Sequence, residues 1–119
     1  MKKIKKETKL LKNLVIEALK DIKAEEIIEL DLRKIDEAVT DYFIVCHGTS
    51  NTQVSALSDS VFKKVKDELS IFPKAQEGKV SGNWIILDYF DVVVHIFHKE
   101  AREYYQLEEL WNDAKTVEY

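Results

Sequence analysis

The fold of this chain is decided by one stretch, Gly82-Asn83-Trp84-Ile85-Ile86-Leu87-Asp88-Tyr89-Phe90-Asp91-Val92-Val93-Val94-His95-Ile96-Phe97. It predicts two β-strands joined by a two-residue turn at Tyr89-Phe90. Because side chains alternate between the two faces of a strand, one face of this hairpin carries apolar side chains only. They are Ile85, Leu87, Val92, Val94 and Ile96. This face is predicted to be buried in the core.

The second face of the predicted hairpin mixes aromatic and acidic side chains with Ile86 and Val93. A two-residue turn pairs Asp88 with Asp91, Ile86 with Val93, and Trp84 with His95. A wholly solvated face would have no use for a tryptophan, and a core face could not easily hold two unpaired carboxylates. An aromatic side chain among acidic ones is typical of a surface that binds a basic partner. We therefore expect this face to be an interaction surface.

The rest of the chain predicts alternating helices and strands. The predicted elements are a helix over residues 8–22, strands over 27–32 and 42–47, a helix capped by Ser50 and Gln53 that ends at Leu69, an edge strand within 74–80, the hairpin, and a helix over 99–113. This order favours an α/β fold, a mixed β-sheet flanked by helices. The strand–helix–strand passage that begins at Tyr42 predicts at least one parallel pair of strands.

Length and composition predict a single domain over residues 1–119, with a frayed basic segment over residues 1–8. The net charge of -4 argues against broad contact with a nucleic-acid backbone, and no apolar run is long enough to cross a membrane. The one cysteine, Cys46, lies in an apolar run and is expected to be a buried side chain. With no disulfide possible within one chain and no signal peptide, we expect a cytoplasmic protein.

Enzymatic candidates are weak in this sequence. Asp88 and Asp91 lie three residues apart across a turn, whereas a two-metal site needs carboxylates at i and i+2 on one strand face. His95 and His98 point to opposite faces of a strand and cannot share a metal. The segment Gly48-Thr49-Ser50 lacks the lysine and further glycines of a phosphate-binding loop. We expect no catalytic residue, metal or cofactor, and a metal-dependent nucleotidyltransferase is kept as the alternative from a different class.

Five segments, in this order along the chain, resemble the ribosomal silencing factor family, also called RsfS or Iojap-like. They are Asp41-Tyr42-Phe43-Ile44-Val45, Gly48-Thr49-Ser50 with Gln53-Val54, Trp84-Ile85-Ile86-Leu87-Asp88, Asp91-Val92-Val93-Val94-His95, and Glu100-Ala101-Arg102-Glu103-Tyr104-Tyr105-Gln106-Leu107-Glu108-Glu109-Leu110-Trp111. The resemblance runs from about Leu10 to Trp111. No single motif is decisive, but the ordered set is specific.

The resemblance implies a function in translation. It implies a nucleotidyltransferase-like fold without a catalytic site, and binding to the large ribosomal subunit through ribosomal protein L-fourteen. Such binding would block joining of the small subunit and repress translation under nutrient limitation. Family members also look like homodimers when free. A factor that assembles the large subunit is an alternative that the sequence does not separate from a silencer.

Carried onto this chain, the partner-binding residues implied are Trp84, Asp88, Asp91 and His95, with Tyr89 at the turn. Two positions depart from the family pattern, because Phe90 stands where glycine is common and His47 where a small residue is usual. A type I′ turn requires positive φ at both central residues, which disfavours phenylalanine. The turn at Phe90 is therefore expected to be of another type, to contain a bulge or to shift the pairing register by one residue. His47 could alter the loop before Gly48.

Overall fold

A six-stranded sheet with helices on both of its faces organises the chain. The computed structural model describes residues 6–119. In chain order these form α1 (Lys6–Asp21), β1 (Glu25–Asp31), β2 (Tyr42–Gly48), α2 (Asn51–Leu69), β3 (Ala75–Glu77), β4 (Trp84–Asp88), β5 (Val92–His98), α3 (Lys99–Tyr105), α4 (Leu107–Leu110) and β6 (Lys115–Glu118). No helix within residues 6–119 is both long and apolar enough to span a membrane.

The sheet is mixed, with strand order β3-β4-β5-β2-β1-β6. The β2–β5 pair is parallel and the other pairs are antiparallel, so the predicted mixed sheet and parallel pair are confirmed. β2 lies inside the sheet and is covered on both faces. Ile44 and Cys46 join the core under α1 and α2, whereas Val45 joins a second core on the opposite face. The continuous apolar run from Tyr42 arises from this double cover.

α1 and α2 cover one face of the sheet, which is the face that carries Ile85, Leu87, Val92, Val94 and Ile96. α2 begins as predicted, because the Gln53 amide donates to Ser50 Oγ at 3.1 Å. The Gln53 side chain does not complete the capping box at Ser50. Its Oε1 accepts the Thr49 amide at 2.9 Å, and its Nε2 donates to the carbonyl oxygens of Ile22 and Lys23, so it links the start of α2 to the turn that follows α1.

The hairpin register differs from the prediction. Trp84 lies opposite Phe97, Ile86 opposite His95, and Asp88 opposite Val93. The predicted pairs are therefore wrong by two residues, because the turn holds more than Tyr89 and Phe90. An even shift leaves every side chain on its predicted face, whereas a shift by one would have exchanged the faces. The predicted separation of a core face from a mixed face is therefore confirmed for β4 and β5.

The C-terminal part differs more strongly from the prediction of one helix over residues 99–113. The helix breaks at Gln106, whose φ is +48°, and α3 and α4 are two short helices. β6 follows and pairs antiparallel with the edge of β1. Its four residues, Lys115–Glu118, contain a single apolar side chain, Val117, and all four are exposed. A strand with this composition has no period-2 apolar pattern from which it could be predicted.

The N-terminal prediction is wrong for residues 6–8, and residues 1–5 lie outside the described part of the chain. α1 begins at Lys6, and Thr8 is 2% exposed. The Thr8 hydroxyl donates to Asp91 Oδ2 at 3.0 Å. This bond ties the first turn of α1 to the segment between β4 and β5. The start of α1 is therefore part of the packed structure.

A charged pair lies buried between α1 and β1. Lys12 Nζ is 3.0 Å from Glu29 Oε1, and both residues are buried. Tyr119, which follows β6, donates its hydroxyl to the same Glu29 oxygen at 3.0 Å. Lys12 Nζ also lies 3.9 Å from the centroid of the Tyr42 ring. Burial of two charges is tolerated here because each one is paired and further satisfied by a neighbour.

His47 lies inside β2, next to its last residue, Gly48. It is 3% exposed, and its Nδ1 lies 2.9 Å from Arg102 Nη1 in α3. The same guanidinium nitrogen donates to the Glu26 carbonyl oxygen at 2.8 Å. Burial, followed by the nearby Arg102 charge, lowers the pKa of His47. The larger side chain at position 47 therefore helps to hold α3 against β2 and β1.

Candidate partner-binding face

The open face is our name for the outward side of β4 and the neighbouring ends of β5 and β2, formed by Phe43, Trp84, Ile86, Asp88 and Val93. It lies opposite the face that α1 and α2 cover. Within it, Val93 is buried and the other four side chains are half-buried. Elsewhere on this side of the sheet, Leu107 and Trp111 cover β1 and β2 and form the second core. The open face is thus a partly exposed apolar surface with a carboxylate at its end.

Trp84 is held in the open face by other rings. Its ring centroid lies 4.7 Å from that of Phe97, with planes 27° apart, and 5.0 Å from that of Tyr105 in α3. Its indole Nε1 donates to His95 Nδ1 at 3.1 Å. The stacking and the hydrogen bond fix both the position and the rotation of the indole. A half-exposed tryptophan that is already ordered loses little conformational freedom when a partner covers it.

His95 lies beneath this surface rather than on it. It is 5% exposed, and its ring contacts Phe43 edge-on at a centroid distance of 4.4 Å. Burial lowers its pKa from 6.5 to about 4. Since Nδ1 accepts the Trp84 proton, the neutral ring carries its own proton on Nε2, which is buried and has no hydrogen-bond partner within residues 6–119. His95 therefore orients Trp84. For His95 to contact a partner directly, as predicted, the rings that cover it would have to move.

Asp88 ends β4 on the open face. Its Oδ1 accepts the Phe90 amide proton at 2.9 Å, and its Oδ2 lies 3.9 Å from Lys74 Nζ. The Asp88 side chain is 26% exposed. Because the first contact uses one oxygen and the second is long, the carboxylate keeps capacity to accept bonds from a cationic partner.

Tyr89 and Asp91 are not part of the open face. Tyr89 is 5% exposed and packs into the core under α1 and α2. Burial raises the pKa of Tyr89 to about 12, and its hydroxyl has no hydrogen-bond partner within residues 6–119. Asp91 accepts from Thr8 of α1, and its carbonyl oxygen accepts the Asp41 and Tyr42 amides. Of the five residues predicted to bind a partner, Trp84 and Asp88 lie on the open face, at the two ends of β4.

Sequence reasoning missed two rings that shape this site. Phe43 of β2 contacts both His95 and Trp111, the latter at a centroid distance of 5.7 Å. Tyr105 of α3 packs on Trp84. The parallel pairing of Phe43 with Val93 would have placed Phe43 on this face, but that register is not contained in the local sequence. Within the described residues, no group of three or more His, Cys, Asp or Glu side chains is arranged to hold a metal ion.

Comparison with known proteins gives consistent matches. A family model described as "Ribosomal silencing factor during starvation" matches residues 5–119. A ribosomal silencing factor from Halalkalibacterium halodurans is 44% identical over 108 residues, which cover 91% of each chain. A crystal structure of a protein from Chromobacterium violaceum superposes with a TM-score of 0.82 at 42% identity, covering 87% of this chain and 85% of the other.

A more distant relative has a name that refers to assembly. The mouse protein called "Mitochondrial assembly of ribosomal large subunit protein 1" is 35% identical over 75 residues, which cover 60% of this chain and 32% of that protein.

Proposed function

Because this chain belongs to the ribosomal silencing factor family, we propose that it binds the large ribosomal subunit through ribosomal protein L-fourteen and blocks joining of the small subunit. By occupying the surface on which the small subunit docks, the chain would lower translation when nutrients are scarce. The proposal places this protein in the cytoplasm and makes it a homodimer when free. It uses no cofactor.

The observation that carries the proposal is the ordered, half-exposed Trp84 on the same face of β4 as the Asp88 carboxylate, with Ile86 between them. Central aromatic anchors supply much of the affinity of protein interfaces, and charges at the rim select and steer the partner. Asp88 forms an acidic rim at the end of the open face, and such a rim fits a basic protein, as ribosomal proteins usually are. The net charge of -4 also disfavours spreading over ribosomal RNA.

The proposal includes no catalysis. A nucleotidyltransferase would bind its metal ions through the carboxylates of Asp88 and Asp91, but these two carboxylates bond to different parts of the fold. Asp91 bonds to Thr8 on the side of α1, whereas Asp88 bonds to the Phe90 amide at the end of the open face. Two-metal catalysis requires carboxylates that converge on one site. The family resemblance to nucleotidyltransferases is therefore proposed to concern the fold and not the activity.

The test is co-sedimentation with purified large subunits, together with light scattering of subunit association. Trp84→Ala should weaken binding about 30-fold or more, the scale of a central aromatic anchor. Since Trp84 also stacks on Phe97, folding of the variant is first checked by its circular dichroism and unfolding midpoint. Phe72→Ala is the control, because Phe72 is an aromatic side chain that is 60% exposed and packs on Phe62 of α2.

A second variant tests the acidic rim without disturbing the turn. Asp88→Asn removes the charge and keeps an oxygen that can accept the Phe90 amide proton. We expect slower association at low salt and a difference that shrinks as salt rises. Asp59→Asn in α2 is the matched control, because Asp59 also pairs with a lysine, Lys79, but lies on the helix-covered side.

Two outcomes would contradict the proposal at different levels. If binding were unchanged in both Trp84→Ala and Asp88→Asn, the assignment of the face would be wrong. If the wild-type chain did not reduce subunit association at all, the silencing function itself would be wrong.

Assembly of the large subunit is the second candidate, favoured by the name of the mouse relative. A factor of that kind would act on large-subunit precursors before subunit joining. Sucrose gradients of cells that lack the protein distinguish the two functions. Accumulated precursors of the large subunit would favour assembly, whereas normal subunits with poor survival of starvation would favour silencing.

A further inference from the structure

Phe90 combines a strained backbone with an exposed aromatic side chain. Its φ is +73°, in the left-handed region that L-residues avoid, and its side chain is 66% exposed. The Asp91 amide donates to the Tyr89 carbonyl oxygen at 3.0 Å, which closes a three-residue turn around Phe90. Turns of this kind with positive φ are rare and strained. An exposed aromatic ring at a strained position therefore needs a reason.

The turn itself does not need the phenyl ring. Asp88 Oδ1 accepts the Phe90 amide at 2.9 Å, and Thr40 Oγ1 donates to the Phe90 carbonyl oxygen at 2.6 Å. Both bonds use the backbone of residue 90. Glycine could make the same bonds and would adopt the positive φ without steric cost. The local structure thus explains the conformation but not the side chain.

The phenyl ring has little to pack against within the chain. Lys74 Nζ lies 4.3 Å from the ring centroid and also 3.9 Å from Asp88 Oδ2. This lysine is itself half-exposed, since its side chain is 48% accessible. A cation over an exposed ring contributes little to stability. The ring is therefore available to another molecule, with a lysine and a carboxylate beside it.

We propose that Phe90 is an anchor at the edge of the open face that inserts into an apolar pocket of the basic protein partner. This inference rests on the proposed function and adds to it a residue that sets affinity. Phe90 follows the end of β4, and its backbone is bonded to the Asp88 side chain, so a partner that reaches the acidic rim also meets the ring. Apolar anchors next to polar rim groups are the usual arrangement of binding hot spots. Strained residues concentrate at such functional positions.

The test compares glycine and alanine at position 90 in the full chain. Phe90→Gly removes the ring and relieves the strained φ, so the unfolding midpoint should stay at or above that of the wild type. The Kd for purified large subunits should nevertheless rise by about tenfold or more, on the scale of a lost aromatic anchor. Phe90→Ala should weaken binding to the same extent, but with a lower unfolding midpoint than Phe90→Gly.

Phe72→Ala is the matched control. Phe72 is a phenylalanine of similar exposure, 60%, that packs edge-on against Phe62 of α2, away from the open face. Its replacement should leave the Kd within about twofold of the wild type, since peripheral residues contribute little to binding.

Three results would overturn the inference. Wild-type affinity in Phe90→Gly would show that the ring is no anchor, while leaving the proposed function intact. A parallel loss of unfolding midpoint and binding in Phe90→Gly would assign Phe90 a structural role. Failure of the wild-type chain to bind large subunits would remove the proposed function and this inference with it.

Discussion

His95 should cause the folded chain to lose stability as the pH falls from about 6.5 to about 4. Burial lowers the pKa of His95 from 6.5 to about 4 in the folded state. In the unfolded chain the imidazole is hydrated and titrates near its ordinary value, so the unfolded state binds the proton first as pH falls. The stabilising contribution is therefore complete above about pH 6.5 and is lost progressively below it.

The size of this effect follows from the pKa difference. A difference of about 2.5 units at about 1.36 kcal/mol per unit gives a loss of about 3 kcal/mol in the free energy of unfolding. Protonation of Nδ1 would also remove the acceptor for the Trp84 indole proton. The lowered pKa of His47 acts in the same direction.

The assay is urea unfolding at a series of pH values between about 7 and 4, for the wild type and for His95→Asn. Asparagine does not titrate and can accept the Trp84 proton through its side-chain oxygen. Carboxylates that titrate in the same interval are common to both proteins, so the difference between the two curves isolates His95. We expect the variant to lose about 3 kcal/mol less than the wild type over this range. Parallel curves would refute the reasoning.

Three further predictions concern the packed structure. Gly78→Ala should lower the free energy of unfolding by more than about 2 kcal/mol, because Gly78 has a φ of +87° and an added Cβ would overlap the Trp84 carbonyl oxygen. A urea midpoint equal to that of the wild type would contradict this. Lys12→Met should cost about 3–5 kcal/mol in the same assay, because it leaves the Glu29 carboxylate buried without its cation, and the added change Glu29→Leu should recover most of the loss. Cys46 should react with an aromatic disulfide only as fast as the chain unfolds, since the thiol is fully buried and burial raises its pKa to about 12; fast labelling of the native protein would count against that.

Local patterns were sufficient where a residue's neighbours in sequence decide its environment. The apolar run of β2 and the two unlike faces of β4 and β5 follow from alternation and composition, and both are confirmed. The start of α2 at Ser50 depends on a side chain and an amide three residues apart. Such features need no knowledge of the rest of the fold.

Distant contacts decided the features that were missed. The hairpin register depends on a turn at Phe90 that Thr40, fifty positions away in sequence, helps to hold. β6 exists because the edge of β1 offers backbone partners to a segment with almost no apolar pattern of its own. In the candidate site, contacts with residues of other strands also decide which side chains on the predicted face are accessible. His95 is buried because Phe43 and Trp84 lie against it, and neither contact follows from its own strand.

β6 gives the sheet one edge that can open independently of the rest. It is hydrogen-bonded to β1 on one side, and all its side chains are exposed, so its amide protons should exchange with solvent through local fraying. The amides of β2, which has neighbours on both sides, should exchange only with global unfolding. Since Tyr119 donates to Glu29, each opening of β6 would also remove a bond from the buried Lys12–Glu29 pair. Three strands separate β6 from β4, so this fraying would leave the open face ordered while the opposite edge of the sheet exchanges.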